Sequence, residues 1–419
     1  MTDTRTALVI GAGIAGPSAA MALQEAGIRA TVYEAYHSTA DGIGGGLSIA
    51  PNGLNALAVI EADQLVRRIG MPMTAMVIQS WTGKQLAEIG GLPGLPSTQF
   101  VWRADLYRRL YEEAAHRGIG IQHGKRLVGA DDTGDEVTAH FSDGTRASAD
   151  ILIGADGIRS SVRSLIDPAA PQPRYAGLLS FGGRVRNTGR ASTGGKMFMI
   201  FGKRAFFGYQ LSEDSSGIWF VNLPHSAPMT LTEARAVAAD QWLSLLREAV
   251  ADDRTPALDL LRRTEPADLL VIGPMEDVPT VPAWSKGRMV LIGDAAHAPS
   301  PSSGQGASLA VESAVQLARC VRDLPHRQAF AAYEQLRRAR VEKIIATAAR
   351  TNSDKAAGPI ARVVRDLVMP TAMERLAKPE KMAWQFDYRI DWDAPVAGTP
   401  DRARAPYSRH SPGAAGGVA

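Results

Sequence analysis

Cysteine is almost absent from this 419-residue chain, Cys320 being the single one. One thiol excludes an intrachain disulfide and any cysteine-based metal cluster. Its neighbours Ala318 and Val321 predict a packed, unreactive side chain. The eight histidines are scattered without ligand spacing, so no metal site is expected. No apolar run approaches the ~20 residues that span a bilayer, and no signal-peptide pattern precedes the first strand. Those two absences predict a cytoplasmic protein without a membrane partner. Long runs of one charge are missing as well. The net charge is only +3 and the arginines are dispersed, which argues against a nucleic-acid partner. The one local cluster, Arg337, Arg338 and Arg340, reads as a solvated helix face.

The length exceeds what one hydrophobic core usually organises, so two domains are expected. Ala7–Ile10 reads as a short apolar strand running into Gly11-Ala12-Gly13-Ile14-Ala15-Gly16. A helix follows, with Ala15, Ala19, Ala22, Leu23 and Ala26 at helical spacing, and Pro17 is tolerated in its first turn. Gly27 ends that helix, and residues 28–33 form the next strand, closing a βαβ unit at Glu34. Arg103–Arg117 is a further amphipathic helix. Residues 119–149 read as antiparallel strands, and Ile151–Ile153 is a buried strand ending in Gly154-Ala155-Asp156-Gly157. From about 168 to 282 the texture changes to alternating strands at 196–201, 205–211 and 217–223, with one helix near 231–250. Helices return at 307–323 and 328–351, and the tail from Ala394, rich in Gly, Pro, Ala and Arg, reads as disordered.

The fold class is therefore α/β. A discontinuous Rossmann-like domain (residues 1–70, 98–167 and 285–350) is interrupted by a mostly antiparallel β-sheet domain (71–97 and 168–284). A C-terminal helical segment (351–393) and the tail (394–419) complete the chain.

Three segments carry chemistry. Gly11, Gly13 and Gly16 stand between a strand and a helix, where glycines let backbone amides approach a pyrophosphate that the helix N-terminus also attracts. Glu34 follows 23 residues after Gly11, placed to accept ribose hydroxyls and to disfavour a 2′-phosphate. Asp156 follows a strand end, with Arg159 and Arg163 one helical turn apart. Its carboxylate either caps the next helix or braces a loop behind the pyrophosphate. The stretch Arg288–His297, running on to Gly304-Gln305-Gly306, is a buried strand, one carboxylate (Asp294), a Pro/Ser loop and a helix start. Two nucleotide-type sites about 280 residues apart suggest one long cofactor gripped at both ends.

In this order the three segments resemble those of the class A FAD-dependent monooxygenases, the para-hydroxybenzoate hydroxylase-like aromatic hydroxylases, over about residues 5–345. The resemblance implies FAD bound at Gly11, Gly13, Ile14, Ala15, Gly16, Glu34 and Ala35, with Asp156 behind the pyrophosphate. It implies Asp294 on the ribityl chain, Pro301 near the flavin face, and Gly304, Gln305, Gly306, Ala307 and Ser308 beside the pyrimidine edge. Arg103 matches an arginine that contacts FAD, Ser48 lies in a mobile loop beside the flavin, and Val128 offers backbone contacts on the adenine side. Ser308 and Ala35 stand where many relatives carry Asn and Arg. His297 matches a mostly structural histidine.

The resemblance further implies NADPH or NADH as a transient reductant, with Arg159 and Arg163 as contacts. It implies O₂ as co-substrate and a C4a-hydroperoxide that hydroxylates or epoxidises an electron-rich aromatic or polycyclic small molecule. The flavin carries the chemistry, and Tyr209 and Arg184 are the polar side chains expected to face the substrate. A monomer or homodimer is expected.

Other readings are a flavoprotein of this fold acting as a non-oxygenating oxidoreductase or cyclase, a flavin halogenase, and a plain NAD-dependent dehydrogenase. Trp219–Pro224 lacks the halogenase pattern, and a dehydrogenase would not need Asp156 and Asp294.

Overall fold

The computed structural model describes residues 4–38, 44–278, 280–355, 359–376 and 379–397. Its first sheet has six strands, in the order Ser285–Lys286, Met289–Leu291, Ile151–Gly154, Thr6–Ile10, Arg29–Tyr33 and Gly120–Gln122. All pairings are parallel except at the Ser285–Lys286 edge. The central strands are apolar and buried along their length, as expected where helices cover both faces of a parallel sheet. Gly120–Gln122 pairs parallel with Arg29–Tyr33, so the expected antiparallel block begins only at Leu127. Three residues carry too little alternation to reveal their partner.

Register aligns the strand ends. Ile10 stands opposite both Tyr33 and Gly154, and Gly154 opposite Leu291. Gly11, Glu34, Ala155–Asp156 and Gly293–Asp294 therefore leave the sheet along one edge. The chain departs from the central strand in both directions there, which is where open α/β sheets form their ligand crevice. Helices Ala15–Glu25 and Gly306–Asp323 start from this edge and pack against each other.

The second large sheet has seven strands, in the order Leu269–Asp277, Arg174–Val185, Gly217–Pro224, Phe206–Leu211, Lys196–Phe201, Ala75–Ser80 and Gln85–Gly90. It is antiparallel except where Lys196–Phe201 pairs with Ala75–Ser80. Helices Ala239–Ala249 and Ala257–Arg262 cover one face, burying Phe181, Phe207, Tyr209, Trp219 and Trp242 together. The other face carries Met197, Ile218 and Phe220. It meets Met73, Phe100 and Trp102 of a small sheet whose strand Gly46–Ile49 belongs to the cofactor side. The single helix expected near 231–250 is two, Leu231–Ala236 and Ala239–Ala249, with Val237 extended between them.

Helices His326–Lys355, Pro359–Leu376 and Pro379–Phe386 are the last helices among the described residues. The expected disorder from Ala394 does not hold for its first residues. Arg319 donates to the Ala394 carbonyl and the Val396 amide donates to Asp323, while residues 398–419 lie outside the described ones.

The arginine cluster also departs from expectation. Arg337 is fully buried in an ion pair with Glu312, and Arg340 reaches the same carboxylate at 3.0 Å. The partner carboxylate sits on another helix, so the sequence pattern around residue 337 could not reveal it. Cys320 is buried, and burial pushes its thiol up to about 11. Among the described residues no helix is long and apolar enough to cross a membrane, and no His/Cys/Asp/Glu group could hold a metal ion.

Candidate cofactor site

The first loop turns so tightly that two positions admit only glycine. Gly11 has φ +103°, and a Cβ there would stand 2.6 Å from the Ala155 carbonyl oxygen. A Cβ on Gly16 would stand 1.9 Å from the Gly11 carbonyl oxygen. Gly13 differs: its Cβ would meet only the Tyr107 hydroxyl, at 3.6 Å, so its backbone borders open space. Ile14 caps the helix that opens at Ala15 without a side-chain bond, which leaves first-turn amides for an outside acceptor. Glu34 accepts from the Ala12 amide (2.7 Å) and the Tyr36 amide (3.0 Å). Its carboxylate is thereby fixed beside the glycine loop, and Ala35 follows it directly.

Arg103 opens helix Arg103–His116 and turns back over it. Its Nε donates to Tyr107 Oη at 2.6 Å, and its guanidinium lies 5.0 Å from that ring's centroid. Burial works against the Arg103 charge, but Tyr107 and Asp294 outweigh it and raise the pKa. Tyr107 escaped the sequence reading. The i,i+4 spacing from Arg103 on one helix was the signal that could have found it.

Asp294 follows Gly293 at the end of the Met289–Leu291 strand. Burial raises its pKa and Arg103 opposes the shift. No hydrogen-bond donor reaches its carboxylate among the described residues. His297, three residues on, is buried; Nε2 pairs with Ser313 Oγ at 2.8 Å, and Nδ1 has no partner among the described residues. Burial, then Arg337, pushes its pKa down to about 3. A neutral, enclosed imidazole orients its loop and is no acid–base group at neutral pH.

Beyond an exposed Pro301, a Cβ on Gly304 would meet nothing within 4 Å, and one on Gly306 only Pro299, at 3.7 Å. The backbone there is open on one side and anchored on the other. Gln305 is buried and accepts from Asn52 Nδ2 at 3.0 Å. Ser308 Oγ accepts from the Ala50 amide at 3.0 Å, and Ala307 lies half-buried between them. Ser48, on the strand before Ala50, sends its hydroxyl toward Met73 Sδ at 3.8 Å. Val128 is 61% exposed at the start of strand Leu127–Asp132.

Asp156 is tied to its own chain. It accepts from Ser160 Oγ (2.5 Å) and from the amides of Ser161 (2.7 Å) and Val162 (3.1 Å), while Ser160 caps helix Ser161–Ile166. Arg163 corrects its expected role as a reductant contact. It is 1% exposed and donates to the carbonyls of Ala295 (3.2 Å) and Ile158 (2.6 Å), clamping the second motif to the third. Arg159 stays exposed, paired with Glu276 at 2.7 Å.

Tyr209 also needs correction as a substrate-facing group. It points to the helix-covered side of the seven-stranded sheet, stacked on Phe198, and burial pushes its pKa up to about 12. Strand alternation left two faces open, and the covering helices decide which one is core. Arg184 lies on the opposite face, exposed, with its guanidinium 4.6 Å from the Trp102 ring centroid. Gln210 and Asn222 share that face and were not singled out from sequence. Gln210 Nε2 donates to the Pro72 carbonyl while its Oε1 has no partner among the described residues, and Asn222 donates to Ser180 Oγ at 3.2 Å.

Two glycine loops and three strand-end carboxylates along one sheet edge define a protein that holds a single extended nucleotide cofactor against a second, mostly antiparallel sheet. A family model described as "FAD binding domain" matches residues 3–191 and 276–348, and the chain belongs to this family, within the class A FAD-dependent monooxygenases. The FAD-dependent urate hydroxylase of Klebsiella pneumoniae is 31% identical over 349 residues, 81% of this chain and 87% of that protein. The 6-hydroxynicotinate 3-monooxygenase of Pseudomonas fluorescens is 30% identical over 364 residues, covering 82% and 90%. Klebsiella pneumoniae HpxO, solved in complex with FAD and uric acid, superposes with a TM-score of 0.78 at 25% identity, covering 91% of this chain and 97% of that one.

Proposed function

We propose that the protein is an NAD(P)H-consuming, FAD-dependent monooxygenase that hydroxylates or epoxidises an electron-rich aromatic or polycyclic small molecule. The observation that carries this reading is the Asp294 carboxylate, recessed, without a donor, and in reach of the Arg103 charge. Such a group calls for a hydroxyl-bearing ligand, and a ribityl chain supplies one.

The residues present fit FAD. Gly11, Gly13, Ile14, Ala15 and Gly16 would hold the pyrophosphate, Glu34 and Ala35 the adenosine ribose, and Val128 the adenine side. Arg103 would neutralise phosphate charge, Asp294 would take the ribityl hydroxyls, and Ser48, Pro301 and Gly304–Ser308 would border the ring. Asp156 would brace the pyrophosphate loop from behind. When bound, FAD supplies the redox chemistry, accepting reducing equivalents from NAD(P)H and activating O₂.

The protein's own part is enclosure and orientation. Phe220, Met197, Met73 and Phe100 would shield the reacting carbon from water. Gln210 Oε1, the Asn222–Ser180 pair and Arg184 would orient polar substituents of the substrate. The exposed Arg159 is the remaining candidate contact for the nicotinamide cofactor. The urate and 6-hydroxynicotinate activities of the relatives support a planar heteroaromatic substrate. A monomer or homodimer working in the cytoplasm, without a nucleic-acid partner, completes the reading.

Purified protein should carry absorbance bands near roughly 370 and 450 nm, as bound flavin does. It should also oxidise NAD(P)H faster when a phenolic, indolic or N-heteroaromatic ligand is added. A colourless protein that takes up no added FAD would refute the proposal.

A further inference from the structure

The head of helix Gly306–Asp323 is supported by a line of buried polar contacts that ends at the far C-terminal segment. Asn52 is fully buried and spends both amide hydrogens, on Gln305 Oε1 (3.0 Å) and on Glu312 Oε1 (2.6 Å). Glu312 is fully buried too, and its remaining partners are Arg337 and Arg340. Arg340 depends on residues past the family match, which stops at residue 348. Arg340 donates to the carbonyls of Trp384 (2.5 Å) and Gln385 (2.8 Å). The Tyr388 ring lies against both guanidiniums, its centroid 4.3 Å from Arg340 and 5.3 Å from Arg337.

The segment then follows the same helix to its end. Arg322 donates to the Trp392 carbonyl (2.6 Å) and stacks on its ring, Arg319 binds the Ala394 carbonyl (2.7 Å), and Asp323 accepts from the Val396 amide (2.9 Å). A carboxylate in an apolar interior stays ionised only while its cations are held against it. Arg337 also bonds Ser313 Oγ (3.4 Å) and the Leu309 carbonyl (3.5 Å), while Trp384, Gln385 and Tyr388 supply that hold for Arg340. Releasing them frees Arg340, leaves Glu312 undercompensated, and loosens the amide that fixes Gln305.

We propose that the C-terminal strap Trp384–Val396 is a positioning element for the flavin end of the site, acting through Arg340, Glu312 and Asn52 on Gln305. The inference rests on the reading that Gly304–Ser308 borders the flavin ring. Tyr388, Arg340, Glu312 and Asn52 act through one another, so they are positioning residues with no contact to substrate required.

The test compares wild type with Tyr388→Ala, Arg340→Gln, Arg340→Lys, Asn52→Ala and the Asn52→Ala/Tyr388→Ala double variant. Each is measured for the FAD dissociation constant and the midpoint potential of the bound flavin, with circular dichroism of the apo form as the folding control. Tyr388→Ala, Arg340→Gln and Asn52→Ala should each weaken FAD binding about tenfold and shift the potential, with Arg340→Lys recovering part of the loss. The double variant should lose less than the product of its singles, because both cut the same line. Strap variants that lower thermal stability yet keep wild-type affinity and potential would overturn the inference, as would a double variant equal to the product. Wild-type FAD uptake checks the cofactor reading separately; the inference alone falls when wild type binds FAD and the variants match it.

Discussion

Asp156 and Asp294 look alike in sequence, each following a glycine-ended strand on the same sheet edge, and burial raises the pKa of both. Their partners separate them. Asp156 receives three hydrogen bonds from Ser160, Ser161 and Val162, whereas Asp294 receives none among the described residues and the charge of Arg103 opposes its rise. A buried carboxylate satisfied by its own chain is architecture, and one left bare at a crevice is a place for a ligand. Counting donors distinguishes two motifs that the letters Gly-Asp and Ala-Asp do not.

The contrast can be broken experimentally, beginning with its heaviest side. Asp156→Ala strands two amides and a hydroxyl, and should cost about 3 kcal/mol of unfolding free energy in a denaturant titration. Asp294→Ala should leave the apo protein about as stable as wild type, since the half-buried carboxylate accepts no hydrogen bond among the described residues. Its FAD affinity should fall about a hundredfold, or roughly 2.7 kcal/mol, by equilibrium dialysis. Equal apo destabilisation by the two substitutions would erase the distinction.

Asp253 is an intermediate case that sharpens it. Oδ1 accepts from the Lys203 amide at 3.0 Å, Oδ2 has no partner among the described residues, and burial pushes the pKa up to about 6. Because the folded pKa exceeds the unfolded one, the native state binds the extra proton and stability falls as pH rises from about 4 to about 6. Asp253→Asn should therefore add about 2 kcal/mol at pH 7.5, a gain that shrinks in melting scans taken toward pH 4. Smallest of all is Arg159→Ala. It removes an exposed pair with Glu276 and should change stability by less than about 1 kcal/mol, while raising KM for NAD(P)H if that arginine touches the reductant.

The same contrast explains what could be read from the sequence. Gly11, Gly16, Glu34 and the strand ends at Ile10 and Gly154 were legible because strand–turn–helix signals are local, while the third strand ends at Leu291, two residues before the glycine that the sequence marks. The orientation of Tyr209 was not, because period-two alternation gives two faces without saying which one Trp242 and Leu246 will cover. Arg163 and Arg337 were misread for a related reason. Their partners, the Ala295 carbonyl and Glu312, lie 132 and 25 residues away and belong to other elements. Arginine is taken as a surface residue by default, and only a tertiary acceptor makes it a clamp.

The parallel sheet places strand Thr6–Ile10 beside Ile151–Gly154, and that beside Met289–Leu291. A nascent chain therefore has the first nucleotide loop in hand while the edge that completes the crevice is still being synthesised. Non-local pairing of this kind slows folding and exposes apolar strands for longer. FAD can bridge the two ends only once the Met289–Leu291 edge has joined the sheet, so protein refolded with FAD present should recover a larger soluble fraction than protein refolded without it.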